Sequence, residues 1–283
     1  MKTWLVLDVS FLCYRAFHTT KHLSHQGKAT GVTFGFLKSI TALKDEFQTD
    51  RVAFCFDSSD SLRRDIFPAY KRKRHSRPLT PEQEEELISM GIQIKALRTC
   101  HLRKIGFMNV FCFPGYESDD IMAKIAETLP EDEEAILVTA DSDLLQCLRP
   151  NVTIYSPAKQ KMLTEGWFFK EYGFAPRKWA VVKAVGGCRT DEVPGVRGVA
   201  ELTAIRFLRG QLKETSKAYL SILSPEGKAV VRRNRRLVQL PFEGCPTPLL
   251  QEDQITEKGW KEVCSALGMK SIASAPPIAT RKR

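Results

Sequence analysis
Four short apolar runs, each closed by acidic residues, recur along the first half of the chain. Trp4–Leu7 ends in Asp8, Val52–Phe56 ends in Asp57, and Asn109–Phe113 leads into Gly115-Tyr116-Glu117-Ser118-Asp119-Asp120. The fourth, Ala135–Val138, leads into Thr139-Ala140-Asp141-Ser142-Asp143. These runs are short, rich in β-formers and not strictly alternating, which predicts buried strands of a parallel sheet. Between the first two, Gly35, Phe36, Leu37, Ile40, Leu43 and Phe47 fall at the spacing of an amphipathic crossover helix. After the third, Ser118 reads as a helix N-cap, with Ile121, Met122, Ile125, Ala126 and Leu129 on the buried face. Asp119 and Asp120 then occupy the first turn, where the helix dipole favours negative charge.

The second half changes period. Pro176–Val185 is apolar enough for a helix through Trp179, Val181, Val182, Ala184 and Val185, and Ala200–Leu208 resumes one. The connection between them carries Gly186, Gly187, Gly195 and Gly198, and such a loop can aim successive N–H groups at a phosphate. Further helices are expected over Thr215–Leu223 and Lys228–Val238, and a loop over Pro241–Leu249. The stretch from Ser271 to Arg283 has the Pro, Ala and basic content of a disordered tail.

Composition narrows the class. A chain of 283 residues with 43% hydrophobic content can bury a substantial core. No apolar run approaches the roughly 18 residues of a membrane span, and Trp4–Leu7 is too short for a signal sequence. Eight cysteines are scattered without a C-x-x-C pair, so neither a zinc site nor a disulfide framework is signalled and a reducing compartment is expected. The five histidines match no zinc spacing. A formal net charge of +10 suits a polyanionic partner.

Charge then acquires a pattern. Strand ends are where open α/β sheets place their ligands, so Asp8, Asp57, Glu117, Asp119, Asp120, Asp141 and Asp143 are expected to crowd one pocket. Two like charges ~4 Å apart repel by about 4 kcal/mol at an effective dielectric near 20, so such a cluster must hold protons or cations. Oxygen donors without histidine or thiolate select hard ions such as Mg²⁺ or Mn²⁺. Arg63, Arg64, Lys71, Arg72, Lys73, Arg74 and Arg77 form a basic insert opposed only by Asp65. Beside an acidic pocket, that strip reads as a phosphate clamp. Arg232, Arg233, Arg235 and Arg236 read as a solvated face.

Together with Asp191-Glu192-Val193-Pro194-Gly195-Val196, the ordered acids resemble the flap endonuclease/5′-3′ exonuclease family. The same family includes the 5′-nuclease domain of bacterial DNA polymerase I and stand-alone phage and bacterial flap nucleases. Val9–Ala16, Arg63 and Pro68-Ala69-Tyr70-Lys71-Arg72-Lys73-Arg74 strengthen the likeness, which runs from about Lys2 to about Leu250. The resemblance implies an α/β, PIN-like parallel-sheet nuclease core at 1–175 with a helical arch at about 62–105. It also implies a helical DNA-binding region at 176–265 with a helix–three-turn–helix motif, ahead of a basic tail at 271–283.

By the same resemblance, Asp8, Asp57, Glu117, Asp119 and Asp120 hold a first metal, and Asp141, Asp143 and Asp191 a second, with Asp119 and Asp120 serving both. Lys71 and Arg74 meet the scissile phosphate, and Arg63, Tyr70, Arg72, Lys73, Gly195, Val196, Gly198 and Val199 contact DNA. Two departures stand out: Cys188 replaces an aspartate of the family loop, and Ala200 and Leu202 replace its usual glycine and lysine. The implied cofactors are two Mg²⁺, replaceable by Mn²⁺, and K⁺ at the glycine-rich loop. The implied activity is two-metal hydrolysis of DNA at 5′ flaps or 5′ ends, by a monomer in the cytoplasm of a bacterial or phage-infected cell. No polymerase region follows within this sequence, so any coupling to synthesis is expected to act in trans. A DNA-binding protein of the same fold with weakened catalysis is the alternative, and a PIN-type ribonuclease a third.

Overall fold
The structure, a computed structural model, describes residues 2–72 and 78–277. β1 (Lys2–Asp8) runs into α1 (Val9–Thr20); a small hairpin follows (β2, Ser24–His25; β3, Lys28–Ala29), and α2 (Gly31–Phe47) leads to β4 (Arg51–Cys55). An excursion through α3 (Arg63–Ile66), α4 (Pro81–Ala96), a π-helical turn (Leu97–His101) and α5 (Leu102–Ile105) reaches β5 (Val110–Phe111). Then come α6 (Ser118–Thr128), β6 (Glu133–Val138), a 3₁₀ turn (Ser142–Cys147), β7 (Val152–Ser156) and β8 (Lys161–Leu163). The remainder is α7 (Glu165–Tyr172), α8 (Trp179–Gly186), the hairpin β9 (Gly187–Cys188) and β10 (Val193–Pro194), α9 (Glu201–Leu208), α10 (Lys217–Leu223), α11 (Pro225–Val238) and α12 (Glu257–Ala266).

The sheet has the order β5-β4-β1-β6-β7-β8, parallel except for the antiparallel edge strand β8. β1 is central because both its faces are covered, which explains an apolar run without polar alternation. Trp4 and Val6 join Ile121, Leu137, Trp179, Val182 and Ile205 in one core. Leu5 and Leu7 join Phe36, Ile40, Phe54 and Trp260 in the other. Fully burying each such side chain contributes about 1.5–3 kcal/mol. The expected boundary at 175 is therefore crossed by a continuous core, with α8 and α9 packed on the sheet's α6 side and α12 on its α1–α2 side.

Local signals act as the residues demand. Asp8 caps α1 by accepting the Phe11 N–H at 3.0 Å, and Thr80 and Gln83 form a reciprocal capping box ahead of Pro81 in α4. The N-cap of α6 is Glu117, one residue before the expected Ser118. The third strand is shorter than expected, at two residues. The tail begins later than expected: Trp260 Nε1 donates to the Ile272 carbonyl at 2.8 Å and Ile272 is buried, so at least that turn packs on the core. Residues 278–283 of the tail lie outside the described residues. No helix among the described residues is long and apolar enough to cross a membrane.

Candidate active site
Topology brings the strand-end acids together. β1 lies between β4 and β6, with Asp8 opposite Cys55 on one side and Leu7 opposite Val138 on the other. Asp57 and Asp141 follow those neighbours, so three carboxylates leave adjacent strands at one edge. Thr139 links them, donating to Asp8 Oδ2 at 3.2 Å while accepting the Asp141 N–H at 3.1 Å. Asp57 accepts from the Ser10 hydroxyl and from the Ser118 N–H, the latter at 2.8 Å. A cleft of about 1120 Å³ opens over this edge, lined by Asp8, Asp57, Glu117, Asp119, Asp141 and Asp143 together with Lys71 and Lys183.

The first turn of α6 divides its acids between two faces. Asp120 is fully buried (0% exposed), and both its oxygens are taken by Arg63, at 2.6 and 2.8 Å. It also accepts the N–H groups of Glu117 at 3.1 Å and Phe242 at 2.8 Å. Asp119 faces the cleft, and its Oδ1 is sealed from solvent without a hydrogen-bond partner among the described residues. Burial raises the Asp119 pKa well above the carboxylate range, and Asp120 and Glu117 add to the shift. Glu117 goes the other way: burial pushes it up, but Lys71 and Arg63 outweigh that and hold it low. Its carboxylate accepts from Lys71 Nζ at 2.6 Å and from the Tyr70 hydroxyl at 3.0 Å. Asp8 is pushed up to about 7, by burial first and then by Asp57.

The other wall comes from the 3₁₀ turn and the β9–β10 hairpin. Asp141 caps the turn through the Asp143 N–H at 2.8 Å. Asp143 is buried and paired with Lys183 at 3.1 Å; burial and Asp141 still push it up to about 6. Lys183 also pairs with Glu201 at 3.1 Å and donates to Ser142 at 3.0 Å. Cys188 (6% exposed) donates to Asp191 Oδ2 at 3.3 Å and lies 3.1 Å from the Thr190 hydroxyl. Burial, then Asp143 and Asp191, push its thiol up to about 12. Gly187, at φ +80°, permits the hairpin: a Cβ there would lie 2.4 Å from the Gly195 nitrogen.

Lys71 joins the two walls. It sits at φ +52°, a left-handed conformation that side-chain-bearing residues rarely adopt. Its N–H is fixed on the Asp191 carbonyl at 3.0 Å, and its ammonium lies between Glu117 and Asp191 Oδ1, the latter 3.7 Å away. Burial disfavours its charge, but Glu117, Asp119 and Asp191 prevail and raise its pKa.

Several expected contacts take different roles. Arg63 is 1% exposed and spends its guanidinium on Asp120 and the Leu237 carbonyl, so its place is inside the fold rather than on DNA. Tyr70 is likewise buried against Glu117, and Asp120 has no oxygen left to offer a metal. Val196 and Val199 are core residues, and their N–H groups are bound to the carbonyls of Val185 and Val196. The Gly195 backbone packs against Gly186; Gly198, at φ +77°, stands in open space. Arg72 is exposed. Lys73 and Arg74 lie outside the described residues. Sequence reasoning missed Lys183; its signal was a lone charge in the otherwise apolar Trp179–Val185 helix. It also missed Thr139 as the clamp between Asp8 and Asp141.

The donor set fits divalent cations. Burial first, and neighbouring carboxylates second, raise the pKa values of Asp8, Asp119 and Asp143, and Asp119 Oδ1 has no hydrogen-bond partner among the described residues, so a cation in the cleft would stabilise their charged forms. Oxygen donors on the sheet side suit a hard ion.

Comparison with known proteins agrees. The family model of the 5′-3′ exonuclease N-terminal resolvase-like domain matches residues 3–173. The 5′-3′ exonuclease of Bacillus subtilis is 32% identical over 215 residues, covering 72% of this chain and 69% of that protein. The thermostable DNA polymerase I of Thermus aquaticus is also 32% identical over 72% of this chain, but the match spans only 23% of the polymerase. In fold, the chain resembles T5 5′-exonuclease solved with bound zinc, at a TM-score of 0.71 and 18% identity, with 85% of this chain and 90% of that one covered. The catalytic core of Rad2 in complex with DNA substrate follows at a TM-score of 0.58 and 12% identity, covering 98% and 92%. With its strand-end acids gathered over a parallel sheet and a family model spanning more than half its length, the chain belongs to the 5′-3′ exonuclease family.

Proposed function
We propose that the protein is a divalent-metal-dependent, structure-specific 5′-nuclease that hydrolyses DNA phosphodiesters at 5′ flaps and 5′ ends. The observation that carries this reading is the convergence of Asp8, Asp57, Glu117, Asp119, Asp141 and Asp143 on one cleft with a lysine between its walls. Asp8, Asp57, Glu117 and Asp119 would hold one cation, and Asp141, Asp143 and Asp191 the other. Divalent cations bound there would supply Lewis acidity, lowering the pKa of an attacking water and offsetting charge on the leaving 3′ oxygen.

This chain's own residues supply the rest. Lys71, preorganised by its backbone and already charged, exchanges Glu117 for the scissile phosphate as substrate enters. Arg74 assists from the same segment. Glu117 is held ionised and orients the ammonium; Ser10 and Thr139 fix the Asp57 and Asp8 carboxylates. Arg72 and Lys73 add backbone contacts that carry no sequence information. The α8–hairpin–α9 unit would grip the downstream duplex as a helix–three-turn–helix element, with Gly198 at its open turn and K⁺ bound there. Support for DNA as substrate comes from neighbours of the same fold solved with DNA: a T5 flap endonuclease with DNA and metal ions, and Rad2 with DNA substrate. The likeness to DNA polymerase I supports action during replication or repair.

The deciding assay offers a 5′-flap DNA, the equivalent RNA and a plain duplex, each with and without Mg²⁺. Mg²⁺-dependent release of 5′ products from the flap DNA, ahead of the RNA and the plain duplex, is expected. Binding without cleavage at any Mg²⁺ concentration would favour the reading in which Cys188 has weakened catalysis.

A further inference from the structure
The hairpin wall carries chemistry that the sheet wall lacks. Among the described residues, Asp143, Cys188 and Asp191 are the one group of three or more ligating side chains whose donor atoms all lie within 4.8 Å of one another. All three are buried. They come from separate elements, Asp143 from the 3₁₀ turn and the other two from the hairpin, so a search for C-x-x-C spacing could not reveal them. Cys188 Sγ is already 3.3 Å from Asp191 Oδ2. With bonds of about 2.3 Å to sulfur and about 2.0–2.2 Å to oxygen, one ion reaches all three after small side-chain rotations. Asp119 Oδ1, sealed and unpartnered among the described residues, lines the same cleft but belongs to the neighbouring position on the sheet side.

We propose that Asp143, Cys188 and Asp191 form a mixed carboxylate–thiolate site that binds a thiophilic first-row divalent cation, of the Zn²⁺ or Fe²⁺ type, in preference to Mg²⁺. The inference rests on the nuclease reading, since this is the second cation position of that site. Mg²⁺ demands oxygen ligands in octahedral array and gains nothing from sulfur. Thiolate donors select softer ions, and geometry with ligand type outweighs raw affinity. The surroundings hold the donors in place: Lys183 orients Asp143 at 3.1 Å, and the Thr190 hydroxyl lies 3.1 Å from the sulfur. On binding, the S–H bond breaks and a sulfur–metal bond forms; the proton leaves to solvent. The contact from sulfur to Asp191 Oδ2 gives way to a metal–oxygen bond, and no electron is transferred.

The test titrates the full chain with Co²⁺ and with Cd²⁺ and follows thiolate-to-metal charge-transfer absorption. One equivalent of band is expected in the wild type, undiminished by excess Mg²⁺ and lost in Cys188→Ser. Cys188→Asp should bind Cd²⁺ more weakly and Mg²⁺ more tightly than the wild type. Cys100 is an exposed thiol, so Cys100→Ser must leave the band in place. Circular dichroism and urea midpoints establish that each variant is folded, and Cys188→Ala serves if the serine variant is not. A band that survives in Cys188→Ser, or Co²⁺ binding without a band in the wild type, overturns the proposal. The same preparations are assayed on flap DNA with Mg²⁺. Cleavage without a band defeats this inference alone; a band without cleavage under any cation defeats the nuclease reading and leaves the metal site standing.

Discussion

Asp119 and Asp120 are neighbours in the first turn of α6, yet they belong to two different regions of the molecule. On the core face, Asp120 meets a guanidinium and two backbone N–H groups, so its charge is matched at each oxygen. On the cleft face, Asp119 meets other acids, and one of its oxygens has no partner among the described residues. The same residue type, one position apart, does opposite work. A helical step of about 100° is enough to separate a structural ion pair from a carboxylate left unmatched in the cleft. What the contrast teaches is that a carboxylate's role follows from whether the fold has already neutralised it.

The strongest way to break the comparison is to remove the matched charge. Asp120→Asn removes the bidentate partner of the buried Arg63 and leaves it only Glu117 at 3.7 Å, so a loss of about 3–5 kcal/mol in unfolding free energy is expected. Urea denaturation measures it; a change within experimental error would show that the pair does not hold α3 to α6. At Asp119 the opposite pattern is expected. Asp119→Asn should slow flap cleavage by about 10²–10³-fold while leaving metal-free stability equal or higher, because it removes a buried repulsion. Near-native cleavage by this variant at saturating Mg²⁺ would remove the residue from the site.

Lys71 sharpens the contrast from the basic side, since its charge is lent to Glu117 rather than locked away. Lys71→Ala should reduce the single-turnover rate about a hundredfold and change DNA affinity by less than about threefold. Arg72→Ala, on an exposed side chain, should mainly weaken binding in a salt-dependent way. Equal losses of affinity from both substitutions, with no loss of rate, would reduce the strip to a general phosphate contact.

The smallest effect is the dependence of stability on pH. Asp8, pushed up to about 7, and Asp143, pushed up to about 6, hold protons in the folded chain that the unfolded chain releases near the ordinary value of 3.8. Their contribution to metal-free stability is therefore full below that ordinary value and is lost as pH rises through about 6 and about 7. The slope is at most about 1.4 kcal/mol per pH unit for each group. A divalent cation, matching those charges as Arg63 matches Asp120, should flatten it. Thermal unfolding with and without Mg²⁺ between pH 5 and 8 checks this; identical slopes would mean that no cation enters the cluster.

Much of this was legible in the chain itself. Apolar runs ending in Asp8, Asp57 and Asp141 mark parallel strands, and parallel strands bring their ends to one edge, so a crowd of acids followed from pattern alone. The glycines between α8 and α9 were legible only as a loop; that a residue without Cβ is needed where Gly187 meets Gly195 came from the fold. Tertiary structure decided which charges are spent internally. Arg63 and Asp120 lie 57 positions apart, and nothing local to either foretells a bidentate pair. Val196 and Val199 looked like loop residues until the sheet offered them a core. Lys183 and Cys188 gained their roles only when α8 and its hairpin packed beside Asp143. Sequence sets the chemistry available at each position and the period that places it on a strand or helix. Neutralisation and burial depend on partners distant in the chain, and only the folded packing supplies those.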